Sequence, residues 1–205
     1  EDRYDALILF LRSILPEADL AELYSGLGYN RHGKTEFYRE LHRFVHVSKE
    51  QFEPAPGLEG AVMIAFTLPH FPFVFKVIKD RPCFLRSALQ TSKTTTPEQI
   101  RHQYDFVSHR DHAGRMVDTQ EFENLRFRLK RFSPELLEEF QRGATGAVRF
   151  TEEHVVFRFV YVQRKVLPLP LFFRMEKNPE VLRHILIDFG YFLKDIAASG
   201  VFPCD

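Results

Sequence analysis

The sequence predicts an α+β protein, with a helical segment over residues 1–50 and a larger mixed domain over residues 51–205. Three observations carry that expectation. Apolar residues recur at helical spacing in the first fifty positions, and again at Leu182, Ile185, Phe189 and Phe192. Between these regions β-prone runs alternate with turns: AVMIAF and FVFKVIK flank LPHFP, and AVRF and HVVFRFVYV flank TEEH. With 205 residues and 44% apolar content, the chain can bury a core without disulfide or metal staples.

The opening EDRYDALILF already has a helical pattern, and PEADLAELYSGL carries Leu20, Leu23 and Tyr24 at helical spacing. Gly26 and Gly28 are expected to end that helix, and Lys34 to Val47 to form the next, with Phe37, Leu41 and Phe44 on one face. Their junction holds a literal Gly-x-x-x-x-Gly-Lys-Thr, Gly28 to Thr35, the pattern that cradles nucleotide phosphates in P-loops. A P-loop needs a buried strand before it and small residues within it, so that backbone N–H groups converge on phosphate. Here the preceding segment is helical and the loop holds Tyr29, Asn30, Arg31 and His32. A helix–turn–helix connection fits these residues better.

A second glycine-bearing stretch has the missing context. In FEPAPGLEGAVMIAFTLPHFPFVFKVIKD, Gly57 and Gly60 precede one β-prone run, and Lys76 lies in the middle of the next. Strand alternation places Lys76 with Val74 and Ile78, opposite Phe73, Phe75 and Val77. A glycine turn followed by strands, one presenting a lysine, is the organisation of a protein-kinase-like N-lobe. The glycines admit backbone to phosphate, and the lysine supplies a point charge. A lysine snorkelling from a strand is the plain structural alternative.

Further along, Thr96 or the residue before it can cap a helix begun by Pro97, with Ile100, Tyr104 and Val107 on its buried face and an end near Gly114. His109, Asp111 and His112 mix helical faces and have no third ligand at metal spacing, so they read as solvated helix-end residues and no metal site is expected. Asp118 reads as the N-cap of a turn before Gln120 and Glu121. Two antiparallel strands then follow around TEEH, the second running toward Val166 where a hinge would present backbone groups to adenine. The last helix starts at Pro179, ends at Gly200, and is followed by a short loop closing on Asp205.

Lys plus Arg and Asp plus Glu both total 28, so no bulk charge draws the chain to nucleic acid or to an anionic membrane. VVFRFVYVQRKVLPLPLFF is broken by Arg158, Arg164, Lys165, Pro168 and Pro170, and nothing else approaches membrane-spanning length. Cys83 and Cys204 lack partners at metal spacing, and the first residues have no signal-peptide pattern, which fits a reducing cytoplasm. A start already in helical pattern, and an end without a closing element, lead us to expect a piece of a longer protein.

The wording of several stretches is more specific than their spacing. GLGYNRHGKTEFYREL, FTLPHFPFVFKVIKD, HRDHAGRMVDTQEFEN and SGVFPCD, in that order along nearly the whole chain, closely resemble the isocitrate dehydrogenase kinase/phosphatase family of bacteria. The resemblance implies a bifunctional enzyme that uses ATP and Mg²⁺ to phosphorylate a serine of isocitrate dehydrogenase, and that removes the phosphate again. It thereby divides carbon between the citric acid cycle and the glyoxylate bypass, and a homodimeric parent is compatible with it. It places nucleotide binding on Ala55, Pro56, Gly57, Leu58, Glu59, Gly60, Ala61 and Lys76, with Ala61 standing where methionine is expected. It implies an active-site aspartate for phosphatase turnover at Asp118 and, from kinase-like order, a catalytic base at Asp205. Residues 1–50 would end a helical regulatory domain, and residues 51–205 would open the catalytic one. The glutamate partner of Lys76 stays open among Glu98, Glu121 and Glu123. A kinase-like module that binds nucleotide or docks isocitrate dehydrogenase without chemistry is the alternative.

Overall fold

The structure is a computed structural model that describes residues 2–56, 60, 62–85, 92–110 and 119–200. The chain divides into two compact units, Glu1–Glu50 and Gln51–Asp205.

The first unit is helical: α1 (Asp2–Ile14), α2 (Leu20–Gly26) and α3 (Asn30–Val47). A reciprocal capping box starts α2, with Asp19 Oδ1 accepting the Glu22 N–H at 2.8 Å and Glu22 Oε2 accepting the Asp19 N–H at 3.2 Å. Gly28, at φ 85°, turns the chain as a left-handed glycine does after a helix. The next helix begins four residues earlier than expected and takes Gly33 into its first turns. The reason is packing: a Cβ on Gly33 would collide with Ser25 Oγ and come within 2.8 Å of the Ala21 carbonyl, so the glycine lets α3 approach α2.

The second unit is built on an antiparallel sheet of β1 (Glu53–Pro54), β2 (Met63–Thr67), β3 (Phe73–Ile78), β6 (Gln120–Arg128), β7 (Val148–Phe150) and β8 (His154–Arg164). Its order is β1-β2-β3-β8-β6, with β7 also paired to β8. A separate pair, β4 (Cys83–Leu85) and β5 (Ser92–Thr94), precedes α4 (Pro97–Arg110). The remaining helices are α5 (Pro134–Gly143), α6 (Leu169–Met175) and α7 (Pro179–Ala198).

Alternation along β3 divides the sheet into two working faces. One is a phenylalanine core: Phe66 stacks on Phe75 at 5.4 Å and on Phe157 at 5.2 Å, while Phe52 stacks on Phe132 at 4.9 Å. Helix α5 closes this side, burying Leu136 and Phe140, and Phe140 meets Phe66 edge-on at 5.1 Å. Loss of one such ring would cost about 3–5 kcal/mol. The opposite face carries Met63, Ile78 and Tyr161, onto which α4 packs Ile100 and Tyr104.

Unbroken alternation would put Phe157 beside Tyr161, four positions away on β8, yet Phe157 belongs to the phenylalanine side. The faces exchange where Arg158 donates its N–H to Ala147 O at 2.8 Å and where Asn124 adopts φ 55° on the neighbouring strand. Asparagine tolerates that left-handed conformation better than most residues.

Two elements have no counterpart in the sequence reading. Gln120 and Glu121, after the turn expected at Asp118, open a nine-residue strand, in which Gln120 pairs with Val162 and Glu121 with Tyr161. Helix α5 has no counterpart in the sequence reading, although Ser133 accepts the Leu136 N–H at 3.3 Å and Pro134 begins it, both ordinary start signals. The last helix starts at Pro179 as expected, capped by Asn178, whose side chain accepts the Glu180 N–H at 3.0 Å. Leu186, Ile187, Phe189 and Tyr191 along it are exposed.

Candidate functional site

A transverse row of residues crosses the sheet at its second face. Ala55 donates its N–H to Ala65 O at 2.9 Å, Ala65 pairs with Lys76, Lys76 with Tyr161, and Tyr161 with Glu121. Directly opposed residues on neighbouring strands point to the same side, so Lys76, Tyr161 and Glu121 form one line of side chains. Lys76 is half-buried, and burial holds its ammonium below the ordinary lysine pKa. Among the described residues, no hydrogen bond or ion pair engages its Nζ. A partly desolvated cation in mid-strand is suited to attract an anion, which would favour its charged form.

Helix α4 shapes this side of the sheet. A capping box fixes its start, as the Gln99 N–H donates to Thr96 Oγ1 at 3.2 Å and the Thr96 N–H to Gln99 Oε1 at 2.9 Å. The Tyr104 ring stacks on Tyr161 at 4.9 Å. Arg101 Nη2 donates to Glu121 Oε1 at 2.7 Å, and its guanidinium lies 4.5 Å from the centre of the Phe159 ring. Burial pushes the Tyr161 phenol up to about 12, and the Glu121 carboxylate pushes in the same direction. Arg101 and Tyr161 were missed in the sequence. The available signal was position: Arg101 lies between Ile100 and Tyr104, both predicted for the buried face of their helix.

The glycine-bearing stretch leaves β1 beside Ala65 and returns as β2. Ala55 is tied into the sheet by its N–H bond, and Pro56 is exposed. A Cβ on Gly60 would lie 2.6 Å from Met63 O, so local packing already demands glycine there. Gly57, Leu58, Glu59 and Ala61 lie outside the described residues, as do Asp118 and Asp205. Of the expected site residues, Ala55 and Lys76 are thus brought onto one row, with Pro56 and Gly60 in the connection from β1 to β2. Of the three glutamates considered for Lys76, Glu121 lies in its row and pairs with Arg101, Glu98 is exposed in the first turn of α4, and Glu123 is exposed on β6.

Two anchors fix the strands around Lys76. At the end of β8, Lys165 Nζ donates to Leu68 O at 2.8 Å and Pro69 O at 2.9 Å, tying the expected hinge to the β2–β3 turn. Just past β3, Asp80 accepts the Thr145 N–H and hydroxyl at 2.8 Å each and the Gly146 N–H at 2.7 Å.

The P-loop-like residues belong to the other unit. Lys34 is exposed on α3, and Thr35 Oγ1 donates to Arg31 O of its own helix at 2.8 Å, so the pattern forms helix and no phosphate cradle. Among the described residues, no group of three His, Cys, Asp or Glu side chains could hold a metal ion, and no helix is long and apolar enough to cross a membrane.

The kinase domain of isocitrate dehydrogenase kinase/phosphatase (AceK) matches residues 50–205, and the regulatory domain of the same protein matches residues 1–49. An isocitrate dehydrogenase kinase/phosphatase of Anaeromyxobacter sp. (strain Fw109-5) is 42% identical over 204 residues, covering 100% of this chain and 34% of the relative. That of Pectobacterium atrosepticum is 40% identical over 98% of this chain and 32% of its own length, and that of Methylibium petroleiphilum 38% identical over 98% and 31%. The chain spans about a third of the length of these curated relatives. Matched from end to end by the two adjoining domains, it belongs to the isocitrate dehydrogenase kinase/phosphatase family.

Proposed function

We propose that the chain supplies the nucleotide-binding lobe, with an adjoining piece of regulatory domain, of a bifunctional enzyme that phosphorylates and dephosphorylates isocitrate dehydrogenase. Such an enzyme sets the flux between the citric acid cycle and the glyoxylate bypass in the cytoplasm. The observation that carries the reading is Lys76: half-buried in mid-strand, without an anionic partner among the described residues, two strands from the start of the glycine-bearing stretch and in one row with it. Family membership supplies the protein substrate.

The sheet with α4 packed beside Lys76 corresponds to a kinase-like N-lobe, and the step from β8 into α6 corresponds to the hinge. The donors fit a polyphosphate. Lys76 supplies a point charge for phosphate, and the backbone of residues 55–61 would cover it. ATP supplies the phosphoryl group, with Mg²⁺ neutralising its charge. Asp205 is assigned the proton of the substrate serine, and Asp118 the water or proton of the phosphatase reaction. Incubating the full-length protein with ATP, Mg²⁺ and isocitrate dehydrogenase, then mapping phosphoserine by mass spectrometry, tests the assignment. Phosphate should appear on one serine and disappear on removal of ATP; an unmodified isocitrate dehydrogenase would refute it.

A further inference from the structure

The pairing of β3 with β8 stops just before the step into α6, and there a side chain takes over from the backbone. Past the last pair, Phe73 with Arg164, the Lys165 N–H donates to Pro72 O at 2.9 Å. The same residue reaches the other end of the β2–β3 turn, where its Nζ donates to Leu68 O at 2.8 Å and Pro69 O at 2.9 Å. An ammonium has three donors and no acceptor, so it can hold two carbonyls at once, through charge-assisted bonds.

The turn is a firm base for this grip. Phe71 is buried within it and packs its ring against Phe73 at 5.3 Å. The Phe71 N–H donates to Leu68 O at 3.2 Å, and the buried Thr67 hydroxyl lies 2.9 Å from Phe73 O. The segment fastened to it has a different character. Val166 and Leu167 are exposed, and among the described residues no hydrogen bond engages their backbone N–H groups. Open backbone donors on an exposed apolar segment match the polar edge and flat apolar face of a heteroaromatic base.

We propose that Lys165 is a positioning residue that clamps the β8–α6 connection to the β2–β3 turn and so fixes the base-binding end of the nucleotide site. This deepens the reading of the lobe as nucleotide-binding, with phosphate at Lys76, and rests on it. The two lysines have separate tasks because they occupy separate places: Lys76 in the middle of β3, and Lys165 beyond the last β3–β8 pair. Lys165 acts through the backbone of the two residues that follow it.

The test uses the full-length protein and competition of ATP and of adenosine against a fluorescent ATP analogue. Lys165→Met should weaken both ligands by about tenfold, the scale of one hydrogen bond to the base lost with its positioned partner. Lys76→Met should weaken ATP and leave adenosine unchanged. Lys165→Arg, which can still donate to both carbonyls, should bind both ligands as wild type does. In kinase assays Lys165→Met should raise KM for ATP by about tenfold with kcat held within about twofold, whereas a merely structural role would lower the active fraction and hence kcat. Wild-type binding of both ligands in Lys165→Met, a loss confined to ATP, or a fall in kcat at unchanged KM would each overturn the proposal. Wild-type ATP binding in Lys76→Met would instead remove the underlying reading of Lys76, whatever Lys165 shows.

Discussion

Asp80 offers a quantitative test of how the lysine strand is held. It follows β3 directly and ties that strand to the corner after α5, accepting bonds from the Thr145 N–H and hydroxyl and from the Gly146 N–H while donating its own N–H to Gly143 O at 2.7 Å. Burial alone would raise its pKa, but the bonds from Gly146 and Thr145, with the neighbouring Arg81 charge, outweigh that and leave it below the ordinary carboxylate value. Asp80→Ala removes three hydrogen bonds to a charged acceptor. The site is mostly open to water, so each is worth about 0.5–1 kcal/mol after screening, or about 2 kcal/mol together. For a domain of this size that lowers Tm by about 4–8 °C. Because the folded pKa is depressed, the charge contribution is complete above the unfolded value near about 3.9 and fades as pH falls through the folded value. Thermal melts of wild type and Asp80→Ala should therefore differ most at neutral pH and draw together in acid, below the ordinary carboxylate range. A gap that is the same at both pH values, or smaller than about 1 °C at neutral pH, would refute the reasoning.

Two other substitutions probe the site. Gly60→Ala drives a Cβ against Met63 O, a backbone atom that cannot swing aside, and should cost about 1–3 kcal/mol as well as weaken nucleotide binding; an unchanged urea midpoint would contradict it. Asp118→Ala in the full-length enzyme should reduce phosphatase turnover more than kinase turnover, since only hydrolysis has a water to handle; equal losses measured with labelled phosphate would count against that role.

The elements most legible in the sequence were those whose local pattern and tertiary packing agree. FVFKVIK is a β-prone apolar run interrupted by Lys76, and both of its faces are used, one against the phenylalanine core and one against α4. Pro97 and Pro179 mark real helix starts because their caps, Thr96 and Asn178, bond as helix N-caps do. QEFENLRFR was illegible as a strand, since charged and polar residues interrupt it and the alternation shifts at Asn124; what fixes it is the long ladder to β8. Helix α5 carried its start signals but was overlooked between stretches with stronger patterns. The Gly-x-x-x-x-Gly-Lys-Thr match shows the converse: the same letters serve helix packing once Gly33 lies against Ala21 and Ser25. Lys76 could be placed on its face from alternation alone. Arg101 and Glu121 could not be joined, because they meet only when α4 and β6, 20 positions apart, fold onto one sheet face.

The central claim is that nucleotide binds at Lys76 and not at the P-loop-like Lys34. Titration of a fluorescent ATP analogue into wild type, Lys76→Met and Lys34→Met tests it most directly. Removal of the strand lysine should weaken binding by at least about tenfold, the loss of one charge-assisted contact to phosphate, while Lys34→Met should bind as wild type does. The reverse pattern, with Lys34→Met impaired and Lys76→Met unaffected, would contradict it.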